Sequence, residues 1–136
     1  MSTRGLRNNN PGNIRISDER FDGEIQPSQD KSFKQFKDMA HGYRAMFVIL
    51  SSYLAKGHNT LEKIIGRWAP NSENPTRAYV SVVCRLSEVP KDKELTAKSG
   101  EDYIKIVAAM SYVENATPAV MGEVESGFNL QTKITK

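Results

Sequence analysis

Glu114 is the residue in this chain whose type and setting best suit proton chemistry. In GEDYIKIVAAMSYVEN, residues 100–115, apolar side chains recur at Tyr103, Ile106, Val107 and Met110. That is the three-and-four spacing of a helix with one buried face. Three or four residues further on, the face reaches Val113 and then Glu114, so a carboxyl group stands where a core residue is expected. It also falls at the helix C-terminus, where the backbone dipole disfavours negative charge. Partial burial and that dipole both favour the protonated form. A protonated glutamic acid at a cleft edge is what the leaving oxygen of a glycosidic bond requires. A solvated glutamate at a frayed helix end, or one paired with an arginine, fits the same spacing.

Other carboxylates compete for a role. Asp22 and Glu24 in RFDGEI lie on a turn that could flank a groove, although Asp-Gly is also an ordinary turn dipeptide. Glu73 in WAPNSENP precedes a helix, where a negative charge stabilises the first turn. Glu125 sits in ESGF, close to the chain end. The opening stretch RGLRNNNPGNIR holds Asn8, Asn9, Asn10 and Asn13, whose side-chain amides can bond the local backbone and build a rigid turn.

Several chemistries find no support. His41 and His58 are isolated and stand in no ligand spacing, so no metal is expected. No glycine-rich phosphate loop is present, and no cofactor is expected. Cys84 is the single cysteine; within the apolar run YVSVVCRL it reads as a small buried thiol rather than a nucleophile. Trp68 and the tyrosines could form a sugar platform, but each falls on a helical stripe or helix end, where such a residue is more often core.

The elements that must position these groups follow from periodicity. NIRI and SFKQF predict short strands of a hairpin spanning residues 13–36. From Asp38, a natural cap, Tyr43, Met46, Phe47, Leu50, Tyr53 and Leu54 predict a helix that Gly57 ends. NTLEKIIGRW predicts a short helix with Asn59 and Glu62 as its capping box. Asn74-Pro75 opens TRAYVSVVCRL, Ser99 opens the helix leading to Glu114, and Thr117-Pro118 opens AVMGEVES. The tail QTKITK reads as frayed. The expected class is mostly α (α+β) with one small N-terminal hairpin, in a single domain over residues 1–136.

Composition is that of an ordinary globular protein: 136 residues, 38% apolar, 26% charged, mean hydropathy −0.54. A net charge of +3 and a pI near 9.0 suit an anionic partner such as nucleic acid or bacterial cell wall. The basic residues are scattered rather than clustered, so nucleic acid rests on the pI alone. No stretch is long enough to span a membrane and MSTRGLRNNN holds no apolar export segment, so synthesis in the cytoplasm is expected.

Taken together, RGLRNNNPGNIR, an F-x-x-F before a helix with G-Y-R-A, and I-I-x-R-W-A-P-x-x-E-N-x-T-x-x-Y-V resemble a family of small phage and prophage proteins. Its members are described as virion structural proteins or cell-wall hydrolases. The similarity runs over nearly the whole chain. Members commonly carry His-Glu-Asn-Gly near the C-terminus, where this chain has Val113-Glu114-Asn115-Ala116, keeping Glu and Asn but not His and Gly. A second resemblance, in the order of NNNPGNIR, SFKQF and HGYRAMFVIL, is to bacterial glucosaminidases of the lysozyme-like superfamily. In those enzymes the helix ending in the catalytic Glu precedes the Asn-rich turn; here it comes last, which implies a circular permutation. The resemblance implies a lysozyme-like domain cleaving peptidoglycan glycan strands by hydrolysis or transglycosylation. Glu114 would be the acid, Asp22 or Glu24 the second carboxylate, and Asn8, Asn9, Asn10, Asn13 and Asn115 the substrate-binding amides. The other reading is a non-catalytic virion or wall-binding protein, with other virion proteins as partners.

Overall fold

The computed structural model describes residues 2–69 and 75–136. Its elements run α1 (Arg4–Arg7), β1 (Glu24–Ile25), β2 (Gln35–Phe36), α2 (Met39–Ala55), α3 (Leu61–Trp68), α4 (Thr76–Ser87), α5 (Gly100–Asn115) and α6 (Met121–Asn129). The chain is mostly helical with one small antiparallel sheet, the class that its periodicity implies.

Helix α2 starts where the Asp38 carboxylate accepts the His41 amide hydrogen at 2.8 Å, and it stops short of Gly57, whose φ of +89° a helix cannot use. Its buried face, Tyr43, Met46, Phe47 and Leu50, packs with Leu61, Ile64 and Ile65 of α3, Tyr79 and Val83 of α4, and the α5 stripe. Phe128 of α6 meets Phe47 edge to face at 5.3 Å. Each such side chain removed from water contributes about 1.5–3 kcal/mol.

Two helix starts, those of α3 and α6, differ from the expected ones, while α4 and α5 begin where Pro75 and Ser99 place them. Thr60, not Asn59, caps α3, accepting the Lys63 amide hydrogen at 3.2 Å. The Asn59 carbonyl is instead engaged by the Leu95 amide at 2.8 Å, which holds Asn59 outside the helix. Pro75 is the cap position of α4, while Asn74 and Glu73 lie outside the described residues. Ser99 precedes α5 but its hydroxyl turns to the Thr96 amide at 2.9 Å. Helix α6 begins at Met121, inside the AVMGEVES stretch, and the Thr117 hydroxyl before it donates back to the Asn115 carbonyl at 3.2 Å.

The hairpin is less regular than expected. SFKQF pairs at its start with the 14–16 segment, through Lys34 N to Ile14 O at 2.9 Å and Ile16 N to Ser32 O at 3.0 Å. At its end it pairs with β1, with Glu24 opposite Phe36. NIRI is thus a single bridge, Arg15 to Phe33, and not a strand. The cause is Lys34, fully buried, whose ammonium donates to the Ser17 and Glu19 carbonyls (3.2 and 2.7 Å) and to both Glu24 oxygens (3.1 and 3.0 Å). The 17–24 loop curls around that one charge.

Three further departures matter. Residues 4–7 form a helical turn capped by Thr3. Cys84 is half-buried on α4, facing the groove between α3 and α4 rather than the core centre. The C-terminal tail is tied down: Ile134 is buried, Gln131 bonds the Phe128 and Ile134 carbonyls, and the Thr135 backbone pairs with Ala97 and Gly100. Among the described residues, no helix is long and apolar enough to cross a membrane.

Candidate active site at the end of α5

Helix α5 is buried along Tyr103, Ile106, Val107 and Met110, and its last turn extends that face through polar residues. Ser111 and Asn115 are buried, and Glu114 between them is half-buried. The polar groups are satisfied, as burial demands. Ser111 and the Tyr43 hydroxyl share a 2.9 Å hydrogen bond. Asn115 donates to the Pro11 and Ser111 carbonyls (2.9 and 3.0 Å) and accepts from the Thr3 hydroxyl at 2.7 Å. Ala116 then takes φ +53° and ends the helix in a left-handed residue, where a glycine is otherwise favoured.

Asn115 therefore ties the end of α5 to the N-terminal segment, and that segment is a rigid turn. The Asn10 side chain is completely buried; it donates to the Ile14 and Lys34 carbonyls at 2.9 Å each and accepts from the Ile14 amide at 2.9 Å. Asn9, at φ +51°, donates to the Phe36 carbonyl at 3.2 Å. Asn8 donates to Asp30 at 3.1 Å. Asp30 also takes the Arg4 guanidinium on both oxygens, at 2.6 and 2.8 Å, and that hydrogen bond foremost holds its carboxyl well below the usual range. Two glycines permit the packing: a Cβ on Gly42 of α2 would strike the Asn9 carbonyl, and one on Gly5 would strike the Asn115 and Asn13 side chains.

Asn13 is the member of the cluster that turns to the carboxyl. At φ +49° it donates its amide to Glu114 Oε1 at 3.0 Å. The other oxygen, Oε2, accepts from the Tyr79 hydroxyl at 2.9 Å. Tyr79 is buried on α4, and its phenol is pushed far above its ordinary range by burial first, then by the neighbouring Glu114 charge and the hydrogen bond to it. The Trp68 indole acts on the same hydroxyl in the opposite sense. Among the described residues no ion pair reaches Glu114. A half-buried carboxyl with one neutral donor on each oxygen keeps further lone pairs for a third group, and so can exchange a proton with a bound oxygen.

Asp22 and Glu24 have partners of their own. Asp22 is 77% exposed in its side chain and pairs with Arg44 at 3.2 Å. The Glu24 side chain is 5% exposed, and both its oxygens are engaged by Lys34. No hydrogen bond or ion pair of either one reaches Glu114 among the described residues. Glu125 is exposed on α6. Sequence reasoning missed Tyr79, although the spacing T-x-x-Y after Pro75 places it one helical turn inside α4 on the core face.

The chain is 37% identical over 132 residues to Protein P5 of Pseudoalteromonas phage PM2, with 93% of this chain and 81% of the relative covered. It belongs to that phage protein's family. The protein is thus phage-derived, and the similarity to the phage PM2 protein extends over most of its length. No protein-family model matches the chain.

Proposed function

We propose that this phage-derived protein cleaves the glycan strands of peptidoglycan, as a hydrolase or lytic transglycosylase with a lysozyme-like, circularly permuted organisation. The observation that carries the reading is the Glu114 carboxyl, half-buried at the end of a core helix and gripped by Asn13 and Tyr79. Glu114 protonates the leaving oxygen of the glycosidic bond and takes a proton back as the reaction completes. Asn8, Asn9, Asn10 and Asn115 build the wall of the site, since their amides serve the protein itself. Glu24 and Asp22 shape the adjoining loop through Lys34 and Arg44. Synthesis in the cytoplasm followed by carriage in the virion fits phage origin.

Purified bacterial cell walls are expected to lose turbidity on addition of the wild-type chain, and Glu114→Gln with its fold intact is expected not to clear them. Full clearing by Glu114→Gln sinks the assignment.

A second reading, a non-catalytic virion or wall-binding protein, draws on Val113 and Ala116, where the resembled family has His and Gly. Its mark is retained binding to wall material without new reducing ends or cleaved muropeptides by mass spectrometry.

A further inference from the structure

Tyr79 and Asn13 come from opposite ends of the site and do one job. Tyr79 sits on the first turns of α4 and Asn13 on the turn before the hairpin, 66 positions away in number but joined through Glu114 (79 less 13). Each takes a different carboxylate oxygen, at 2.9 and 3.0 Å. Two donors on opposite oxygens define the plane of a carboxyl group, which a single contact leaves free to rotate about its terminal bond. Both donors are themselves immobilised. Tyr79 is 1% exposed within the core, and Asn13 is held by a left-handed backbone that only a few residue types accept without strain.

We propose that Tyr79 and Asn13 are positioning residues that fix the plane and depth of the Glu114 carboxyl, so that an incoming glycosidic oxygen meets it in one orientation. This rests on the glycan-cleavage reading for its chemical consequence, while the positioning itself concerns three side chains of this chain alone. A carboxyl held in advance loses no orientation at the moment of proton transfer, and such preorganisation acts on turnover rather than on substrate affinity. Trp68 of α3 and Tyr79 of α4 are thereby linked: the indole acts on the Tyr79 hydroxyl that donates to Glu114.

The test uses the full chain and two conservative variants. Tyr79→Phe removes one hydroxyl and keeps the ring; Asn13→Gly removes the amide and suits the positive φ. On glycan strands isolated from cell walls, Tyr79→Phe is expected to lower kcat about tenfold, the rate equivalent of one charge-assisted hydrogen bond, with KM changed less than about twofold. Asn13→Gly is expected to do the same. An unchanged kcat in Tyr79→Phe overturns the proposal.

A readout independent of turnover separates this from the enzymatic reading. In NMR spectra the Asn13 side-chain amide and the Tyr79 hydroxyl proton are expected to move together on Glu114→Gln, with the backbone spectrum otherwise retained. If neither resonance responds, positioning is overturned whatever the activity. If both respond while wild-type protein leaves glycan strands intact, positioning stands and the cleavage reading fails.

Discussion

Asn13 and Glu114, 101 positions apart, meet through a hydrogen bond of 3.0 Å. The contact joins the first irregular turn of the chain to the end of its fifth helix. It exists because Asn115, the next residue, has already bound Pro11 and Thr3 of the same N-terminal segment. One neighbour supplies the anchor, and the other is left half-buried and reachable.

That anchor has a measurable cost of removal. Asn115→Ala leaves the Pro11 carbonyl without its donor and the Thr3 hydroxyl without its acceptor. A loss of about 2–3 kcal/mol in urea denaturation is expected, the penalty of buried polar groups left unmade. Asn115→Asp keeps the acceptor and loses the donor, so a variant as stable as wild type would show that the Pro11 contact contributes nothing.

The seating of the turn on α2 depends on the absence of one methyl group. Gly42→Ala drives a Cβ into the Asn9 carbonyl and Pro11, so the turn or the helix must move. Destabilisation of at least about 1–3 kcal/mol is expected from overpacking. The Asn13–Glu114 contact should be disturbed with it. A crystal structure of the variant with the turn unmoved contradicts this account.

Lys34 and Glu24 govern the loop over the hairpin and its response to acid. Burial alone pushes the Glu24 carboxyl up, but hydrogen bonds from Gln26, Lys34 and the Phe21 amide outweigh it and hold it below its ordinary value. A carboxyl held low in the folded state contributes stability in full above the unfolded value of about 4.3. That contribution is lost as pH falls through the folded value. Thermal melts should therefore show wild-type stability decreasing below about pH 4 more steeply than in Glu24→Gln. Lys34→Met strands a buried carboxylate and should cost about 3–5 kcal/mol at neutral pH. The double variant Glu24→Gln/Lys34→Met should recover part of it.

The C-terminal tail is structural. Deleting residues 131–136 exposes the site of Ile134, and removes the Gln131 bonds and the pairing of Thr135 with Ala97 and Gly100. Ile134 by itself contributes about 1.5–3 kcal/mol, so a fall in melting temperature of about 5–10 °C is expected. A truncated chain melting with the wild type would return the tail to the frayed segment that its composition suggests.

Some of this architecture is local physics and is legible in the sequence. The α5 stripe through Tyr103, Ile106, Val107 and Met110 predicts a helix because apolar side chains at that spacing share one face, and the structure places those residues in the core. Asp38 caps α2 and Gly57 lies beyond its end for reasons confined to a few bonds. The same stripe singled out Glu114 as a carboxyl at the edge of a buried face.

What tertiary structure alone decided are the partners. Periodicity places a residue on a face but says nothing of which distant group will meet it. The asparagines of RNNNPGN are alike in type, yet Asn10 is consumed by the Ile14 and Lys34 backbone while Asn13 turns to Glu114. Lys34 read as one alternating residue of a strand, and became the buried charge around which residues 17–24 fold. Tyr79 read as core and is core, but its hydroxyl completes the grip on Glu114. A buried polar atom must find a partner wherever the folded chain supplies one, and across 101 residues only the packing of α5 against the N-terminal turn determines which partner that is.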